Sequence, residues 1–418
     1  MRLAFGRFSE LRHRQAGEDV VLRHYNKERR FFCDCRPDAE HPPQLFLVTG
    51  SHIRREADGK GTPHDEGCDF ARDPHEQKKI VLSYREPEDE YQLNLVRNFG
   101  DAKKIPVIGT VSVTTRRTRP TLARTLCSLL HAASLDRFFS QTPLHGNRDL
   151  QLADLKDAAA RFLLAPEEPL DKWLAFTLGG FYSLREKLNR SLSTWKRPHG
   201  LFICSFDRIE NNTLYPRLSE KKPIAVTGKL TIFGEGENHN RPPYLVIGLL
   251  SLPDQNAKSV ELLNAYAHPC VAWNRLTLVD SQNERDTLAL LIKCRDWLAA
   301  NHNVTFTIEK PLFDKGTKET DDPREVCIPD FILRSKGSIV RNPLIVVETM
   351  GYDTVDYRTR KARMHSLFER VGPGPFPVPV IEHDRFLANV PGRLADSLFL
   401  RKILNAILGD VSFSLPEF

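Results

Sequence analysis

The sequence predicts an α+β multidomain chain: a small N-terminal metal-bound module over residues 1–80, a mainly helical segment over 81–199, a β-rich segment over 200–275 and a C-terminal α/β domain over 276–418. Three observations predict it. At 418 residues the chain exceeds the roughly 250–300 residues at which a single core stops growing. The hydrophobic period changes along the chain, from helical to alternating and then to helices and strands in turn. The N-terminal region is rich in His, Asp and Arg, with apolar runs as short as Leu45–Val48, too little to build a core without a staple.

Composition bounds the function classes. A hydrophobic content of 40% and a charged content of 27% are ordinary for a globular chain and exclude wholesale disorder. A net charge of +6 is compatible with a polyanionic partner but small for this length. The longest apolar run, Tyr244 to Leu252, is about half of what a membrane helix needs and reads as a buried strand. The N-terminal text MRLAFGRFSELRHR lacks the apolar stretch and small-residue cleavage site of a signal peptide, so a cytoplasmic location is expected.

In that reducing compartment the eight cysteines are not expected to pair. Cys33 and Cys35 form a C-x-C pair, and His64 and Cys68 form an H-x3-C pair across a polar loop. Three thiolates and one imidazole complete a tetrahedral structural Zn²⁺ site with no position left for water. His41, His52 and His75 are alternative fourth ligands in the same region. Zinc would supply the free energy that so small an apolar core lacks. The five other cysteines are expected as small core residues.

Alternating text over 81–110 (IVLSY, IPVIGTVSV) precedes helical text at Thr121 to Phe139, Leu150 to Leu164 and Pro169 to Leu192. Thr114 to Arg124 carries Arg116, Arg117, Arg119 and Arg124 at a helix start, a placement that suits both a phosphate contact and a solvated turn. Pro198, His199 and Gly200 end the helical pattern, and LFICSF, AVTGKLTIF and YLVIGLLSL read as strands separated by turn residues. The last region runs helix (Glu284 to Ala300), strand (VTFTIEK), strand (Cys327 to Leu333), strand (Leu344 to Glu348), helix (Asp356 to Arg370), strand (PVPVIEH) and helix (Val390 to Ile407).

The chemistry is expected where those strands end. Asp330 follows Val326, Cys327, Ile328 and Pro329, and Glu348 closes the apolar run Leu344 to Val347. Two strand-end acids joined by a tight turn through Lys336, Gly337 and Ser338 lie side by side on a hairpin. Such a pair suits Mg²⁺ or Mn²⁺, which take oxygen ligands and keep waters for a substrate phosphate. Glu284, three residues after Ser281, has two readings: a capping-box acid, or a third acid in the metal site.

These motifs resemble the PD-(D/E)XK nuclease superfamily. The matching text is SQNERDTLALLIKCRDWL for the first helix, Ile328-Pro329-Asp330-Phe331 for the PD element and Val346-Val347-Glu348-Thr349-Met350-Gly351 for the second acid. The resemblance covers about a third of the chain and implies a restriction-endonuclease-like core with Glu284, Asp330 and Glu348 as its acids. Met350 departs from the pattern, standing where the family has the lysine that orients or deprotonates the attacking water. In many members that base has moved to the following helix, which here offers Tyr357, Arg358, Arg360, Lys361 and Arg363; Lys361 is the first choice and Arg358 the second. The CxC…HxxxC front resembles zinc elements that precede nuclease domains in some competence and mobile-element proteins. Taken whole, with ETMGYD…K at its rear, the chain resembles a protein family carried on bacterial plasmids and integrative conjugative elements, which implies a role in transfer, maintenance or defence. Arg358, Arg360, Lys361 and Arg363 lie near the candidate site and are candidate phosphate contacts.

No phosphate-binding loop of the G-x-x-x-x-G-K-S/T kind is present: Gly234 and Gly236 lack the lysine and the helix. No G-x-S-x-G nucleophile turn appears either. The expectation is a Mg²⁺-dependent deoxyribonuclease with a structural zinc; the alternative is a catalytically inactive nuclease-fold protein that binds nucleic acid or serves assembly.

Overall fold

The computed structural model describes residues 31–32, 36, 42–48, 52–55, 62, 93, 95, 120–165, 168–217, 222–233, 242–316, 326–351, 355–369, 377–386 and 392–409. The chain forms two compact units, Met1–Val81 and Leu82–Phe418. In the first, Phe31–Phe32, Gln44–Val48 and His52–Arg55 make a three-stranded antiparallel sheet with Gln44–Val48 at its centre. Cys33, Cys35, His64 and Cys68 lie outside the described residues, as do His41 and His75; His52 opens the third strand. The strands expected over 81–110 and the cluster Arg116, Arg117 and Arg119 also lie outside them.

In the second unit the first helix, α1 (Thr121–Ala132), stops earlier than its apolar text. Ser134 turns into the left-handed region at φ 54°, and the next residues leave the helix as strand β1 (Arg137–Phe138). Helix α2 (Arg148–Ala159) starts at Asn147, whose side chain accepts from the Asp149 and Leu150 N–H groups. The text from Pro169 to Leu192 divides into a 3₁₀ turn (Leu170–Trp173), strand β2 (Leu174–Ala175) and helix α3 (Leu178–Arg190), which Thr177 caps.

Five of the strands that follow join β2: β3 (His199–Phe206), β4 (Leu230–Ile232), β5 (Tyr244–Ser251), β6 (Glu261–Ala272) and β7 (Arg275–Leu278). They form one sheet in the order β4-β6-β5-β3-β2, with β7 on β6. Every residue of β3 and β5 is buried, which is why their text is apolar without alternation. The helical and β-rich stretches share one hydrophobic core, in which Leu126, Leu129 and Leu188 cluster with Phe202, Ile247 and Tyr266. Cys127, Cys204, Cys270 and Cys294 are buried and form no disulfide, as small core residues should.

The C-terminal part runs helix α4 (Gln282–His302), β8 (Thr305–Glu309), β9 (Phe331–Lys336), β10 (Leu344–Thr349), helix α5 (Val355–Phe368), β11 (Val380–His383) and helix α6 (Gly392–Leu408). Its sheet has the order β11-β10-β9-β8-β1, antiparallel except between β10 and β11. Alternation sends Phe331, Leu333, Ile345 and Val347 to one face, where they pack with Leu288 and Leu291 of α4 and Ile403 of α6. Ile332 and Val346 face the other way and pack with Phe368 of α5. The hairpin between β9 and β10 turns at Gly337, whose φ of +156° suits glycine.

Strand β1 crosses from the preceding part of the chain into this sheet. Phe138 pairs with Ile308 and Arg137 with Glu309. Phe138 is fully buried in the C-terminal core, and buried Arg295 of α4 donates through Nη1 to the Phe139 carbonyl at 2.7 Å. No helix among the described residues is long and apolar enough to cross a membrane.

Candidate active site

The register brings the acids to one end of the C-terminal sheet. Glu309 pairs with Ile332, and Phe331 pairs with Val347, so Lys310, Asp330 and Glu348 follow one another across the strand ends. Pro329 and Asp330 interrupt the strand expected from Cys327 to Leu333, which resumes at Phe331. There, side chains replace the ladder. The Asp330 N–H donates to Glu348 Oε1 at 3.0 Å, and the Thr349 N–H donates to Asp330 Oδ2 at 2.7 Å. Each carboxylate is thereby held by the backbone of the other strand. Glu348 is fully buried and Asp330 partly exposed.

Lys361 reaches this pair from α5. Its ammonium donates to Glu348 Oε2 and lies 3.6 Å from Asp330 Oδ2. Met350 is buried beside the strand end and offers no charge. Arg358, the other candidate base on α5, pairs instead with Asp384 at 2.8 Å. The side chains of Tyr357, Arg360 and Arg363 lie outside the described ones.

Glu284 lies at the start of α4, where it fills the capping role and meets a lysine. Ser281 accepts from the Glu284 N–H at 3.1 Å, and Glu284 Oε2 accepts from the Asp280 N–H at 3.0 Å, so the residue serves the helix start. The same Oε2 lies 2.8 Å from Lys310 Nζ, with both side chains buried. Lys310 was not expected at the site: a lysine directly after a strand ordinarily reads as a solvated end. The only signal for it is its position opposite Phe331 once the register is known.

Electrostatics follow from burial. Desolvation pushes the Glu348 carboxyl up to about 7, with the Asp330 charge adding and Lys361 pulling part of the way back. Desolvation likewise pushes Glu284 up to about 8, Lys310 opposing and Asp280 and Asp330 adding. Burial works to lower the Lys310 ammonium, but Glu284, Asp280 and Asp330 outweigh it and raise it, so Lys310 stays charged.

A chain of hydrogen bonds behind the acids fixes the strand end. Thr349 Oγ1 donates to Thr287 Oγ1 at 3.0 Å, and Thr287 Oγ1 lies 2.7 Å from His383 Nδ1. His383 Nε2 lies 2.9 Å from Asp396 Oδ1. Burial lowers the His383 pKa, so the ring is neutral, with its proton on Nε2 facing Asp396. This chain ties β10, β11, α4 and α6 together behind Asp330 and Glu348.

The donor set suits a hard divalent cation in kind: two adjacent carboxylates, which Mg²⁺ takes together with waters and substrate oxygens. Among the described residues no three His, Cys, Asp or Glu side chains are grouped closely enough to hold a metal by themselves. Asp330 and Glu348 would hold such an ion, in competition with Lys361 for Glu348. An open cavity of about 580 Å³ lies along β11, lined by His365, Glu382, Lys402 and Asn405 among others; none of the three acids lines it.

Residues 280–392 match the family model of a restriction endonuclease-like C-terminal domain. The C-terminal domain is restriction endonuclease-like. The match takes in Glu284, Lys310, Asp330, Glu348 and Lys361, and supports a PD-(D/E)XK-like fold for this part of a mixed α/β chain. A second model, a domain of unknown function (DUF8535), matches residues 100–270. Strand β1 lies within that second match yet belongs to the sheet of the endonuclease-like domain. A curated relative from Escherichia coli, described as an uncharacterized protein in the cib 5′ region, is 32% identical over 144 residues, 34% of this chain. The aligned stretch spans 65% of that relative's length. No solved structure matches.

Proposed function

We propose that the chain is a metal-dependent nuclease that hydrolyses DNA phosphodiester bonds. The observation that carries this reading is Lys361: with Met350 at the usual lysine position, an ammonium from α5 reaches both Glu348 and Asp330. Asp330 and Glu348 would hold Mg²⁺ or Mn²⁺. When bound, the cation supplies Lewis-acid polarisation of the scissile phosphoryl group. The chain's own groups do the rest. Lys361 offsets negative charge developing on the phosphate, and the reciprocal bonds between Asp330 and Glu348 keep both carboxylates in place before substrate arrives. Glu284 holds the start of α4 against that end of the sheet.

The test uses purified full-length protein with supercoiled, linear and single-stranded DNA and Mg²⁺ or Mn²⁺, beside Asp330→Ala, Glu348→Ala and Lys361→Ala. Cleavage by the wild type and losses of about 10²-fold or more in each variant are expected. Equal cleavage by all four proteins would sink the assignment. The second reading, a non-cutting nucleic-acid-binding or assembly protein, draws on the same contact, because Lys361 already occupies Glu348 Oε2. It predicts DNA retention in a gel-shift assay with no cleavage by the wild type in either metal.

For the N-terminal unit the proposal is a structural zinc held by Cys33, Cys35, His64 and Cys68, on the strength of the donor types and their spacing. Purified protein should carry one zinc, and Cys33→Ser and Cys68→Ser should each lose it. Unchanged zinc content in both variants removes the site. A setting in mobile-element transfer, maintenance or defence is proposed from the whole-chain resemblance.

A further inference from the structure

Two lysines enter the acid cluster, and the structure holds them differently. Lys361 extends from an outer helix to Glu348, and a cation arriving between Asp330 and Glu348 competes with it directly. Lys310 is built in. Its side chain is 5% exposed, its ammonium is 2.8 Å from Glu284 Oε2, and its backbone N–H is donated to the Asp136 carbonyl at 2.8 Å. The charges of Asp280 and Asp330 act on the same ammonium. By the strand register Lys310 and Glu348 flank Asp330 on opposite sides, with Lys310 on Glu284 and Lys361 on Glu348.

In two-metal phosphodiesterase sites a second ion lies about 3.5–4 Å from the first and shares a carboxylate with it. Here the carboxylate available for sharing is Asp330, and the remaining acid on that side is Glu284. We propose that Lys310 is a resident cation in the position of a second divalent ion, so that this site takes one divalent cation and not two. Like charges in a buried site repel with little screening, and Lys310 cannot leave without stranding a buried Glu284. Even with Glu284, Asp330 and Glu348 all ionised, the two lysines leave them only one net negative charge. A single divalent ion reverses it modestly, whereas a second would leave the buried site strongly positive. The inference rests on the reading of Asp330 and Glu348 as metal-holding carboxylates.

The experiment counts bound Mn²⁺ in zinc-loaded full-length protein without nucleic acid, by electron paramagnetic resonance of the free ion and by calorimetry, with Asp330→Asn as the baseline. Wild type is expected to bind one Mn²⁺ above that baseline, Lys310→Arg one, and Lys310→Met two. Two ions in the wild type overturn the proposal and leave the Asp330 and Glu348 reading standing. A folded Lys310→Met that still binds one ion overturns it as well. No ion in the wild type above the Asp330→Asn baseline overturns the metal-site reading and this proposal with it. Near-ultraviolet circular dichroism reports whether Lys310→Met folds; if it does not, the wild-type count decides.

Discussion

Asp330 and Glu348 meet because each gives its carboxylate to the other strand's backbone just where the ladder between β9 and β10 ends. That position was legible in the sequence: an acid after an apolar run marks a strand end, and two such acids across a short turn are neighbours. Lys361 was the first choice among several basic residues on α5, with Arg358 second, although helix geometry alone does not say which of them turns inward. Lys310 was not legible, because its burial depends on β8 lying beside Asp330. Titration gives a test at this scale. Glu348 is raised from 4.5 to about 7 chiefly by burial. A carboxyl whose folded-state pKa is raised contributes stability fully present below about 4.5 and lost as pH rises through about 7. Glu284, raised to about 8, adds to the same trend. The melting temperature of magnesium-free protein should therefore fall between about pH 5 and pH 8, and fall less in Glu348→Gln. Parallel melting curves for the two proteins would refute this.

At the scale of elements, α4, β8, β10 and α6 were readable from their apolar periods, and the structure places them within a few residues of the expected limits. Two cases differ for physical reasons. The helical text after Thr121 is cut short because Ser134 takes a left-handed turn, which frees Arg137 and Phe138 to pair with β8. The longest strand of the six-stranded sheet, β6, carries Asn264, His268 and Pro269 and shows no clean alternation; its neighbours β5 and β4 supply the pairing. The Thr349, Thr287, His383 and Asp396 chain joins four elements through polar groups that no periodicity marks. Removing its central ring takes one hydrogen-bond partner from Thr287 and one from Asp396, which keep Asn283 and Arg385 respectively. His383→Ala is expected to cost about 2 kcal/mol by denaturant unfolding, at about 1 kcal/mol for each of the two hydrogen bonds lost. A change below about 0.5 kcal/mol, the range of ordinary surface substitutions, would mean the chain is not structural.

For the whole of the second unit, the decisive feature is that the endonuclease-like sheet is completed from upstream. Phe138 fills its core, Arg295 is satisfied by the Phe139 carbonyl, and Asp136 holds the backbone of Lys310. Residues 280–418 alone should therefore fail to give a cooperative melt, whereas residues 120–418 should give one. Phe138→Ala in the full chain should cost about 3–5 kcal/mol, the range for deleting a buried phenylalanine. A cooperative melt of the shorter fragment would show that β1 is dispensable. Local text determined a good deal here: the α/β order of the last third and the acids at its strand ends. These are readable because apolar period and turn chemistry act between residues near one another in sequence. Only the tertiary structure decided that β1 joins the sheet, that Lys361 and not Arg358 reaches Glu348, and that Lys310 is buried against Glu284. Each of those depends on register and packing between segments far apart in the chain, which local pattern does not encode.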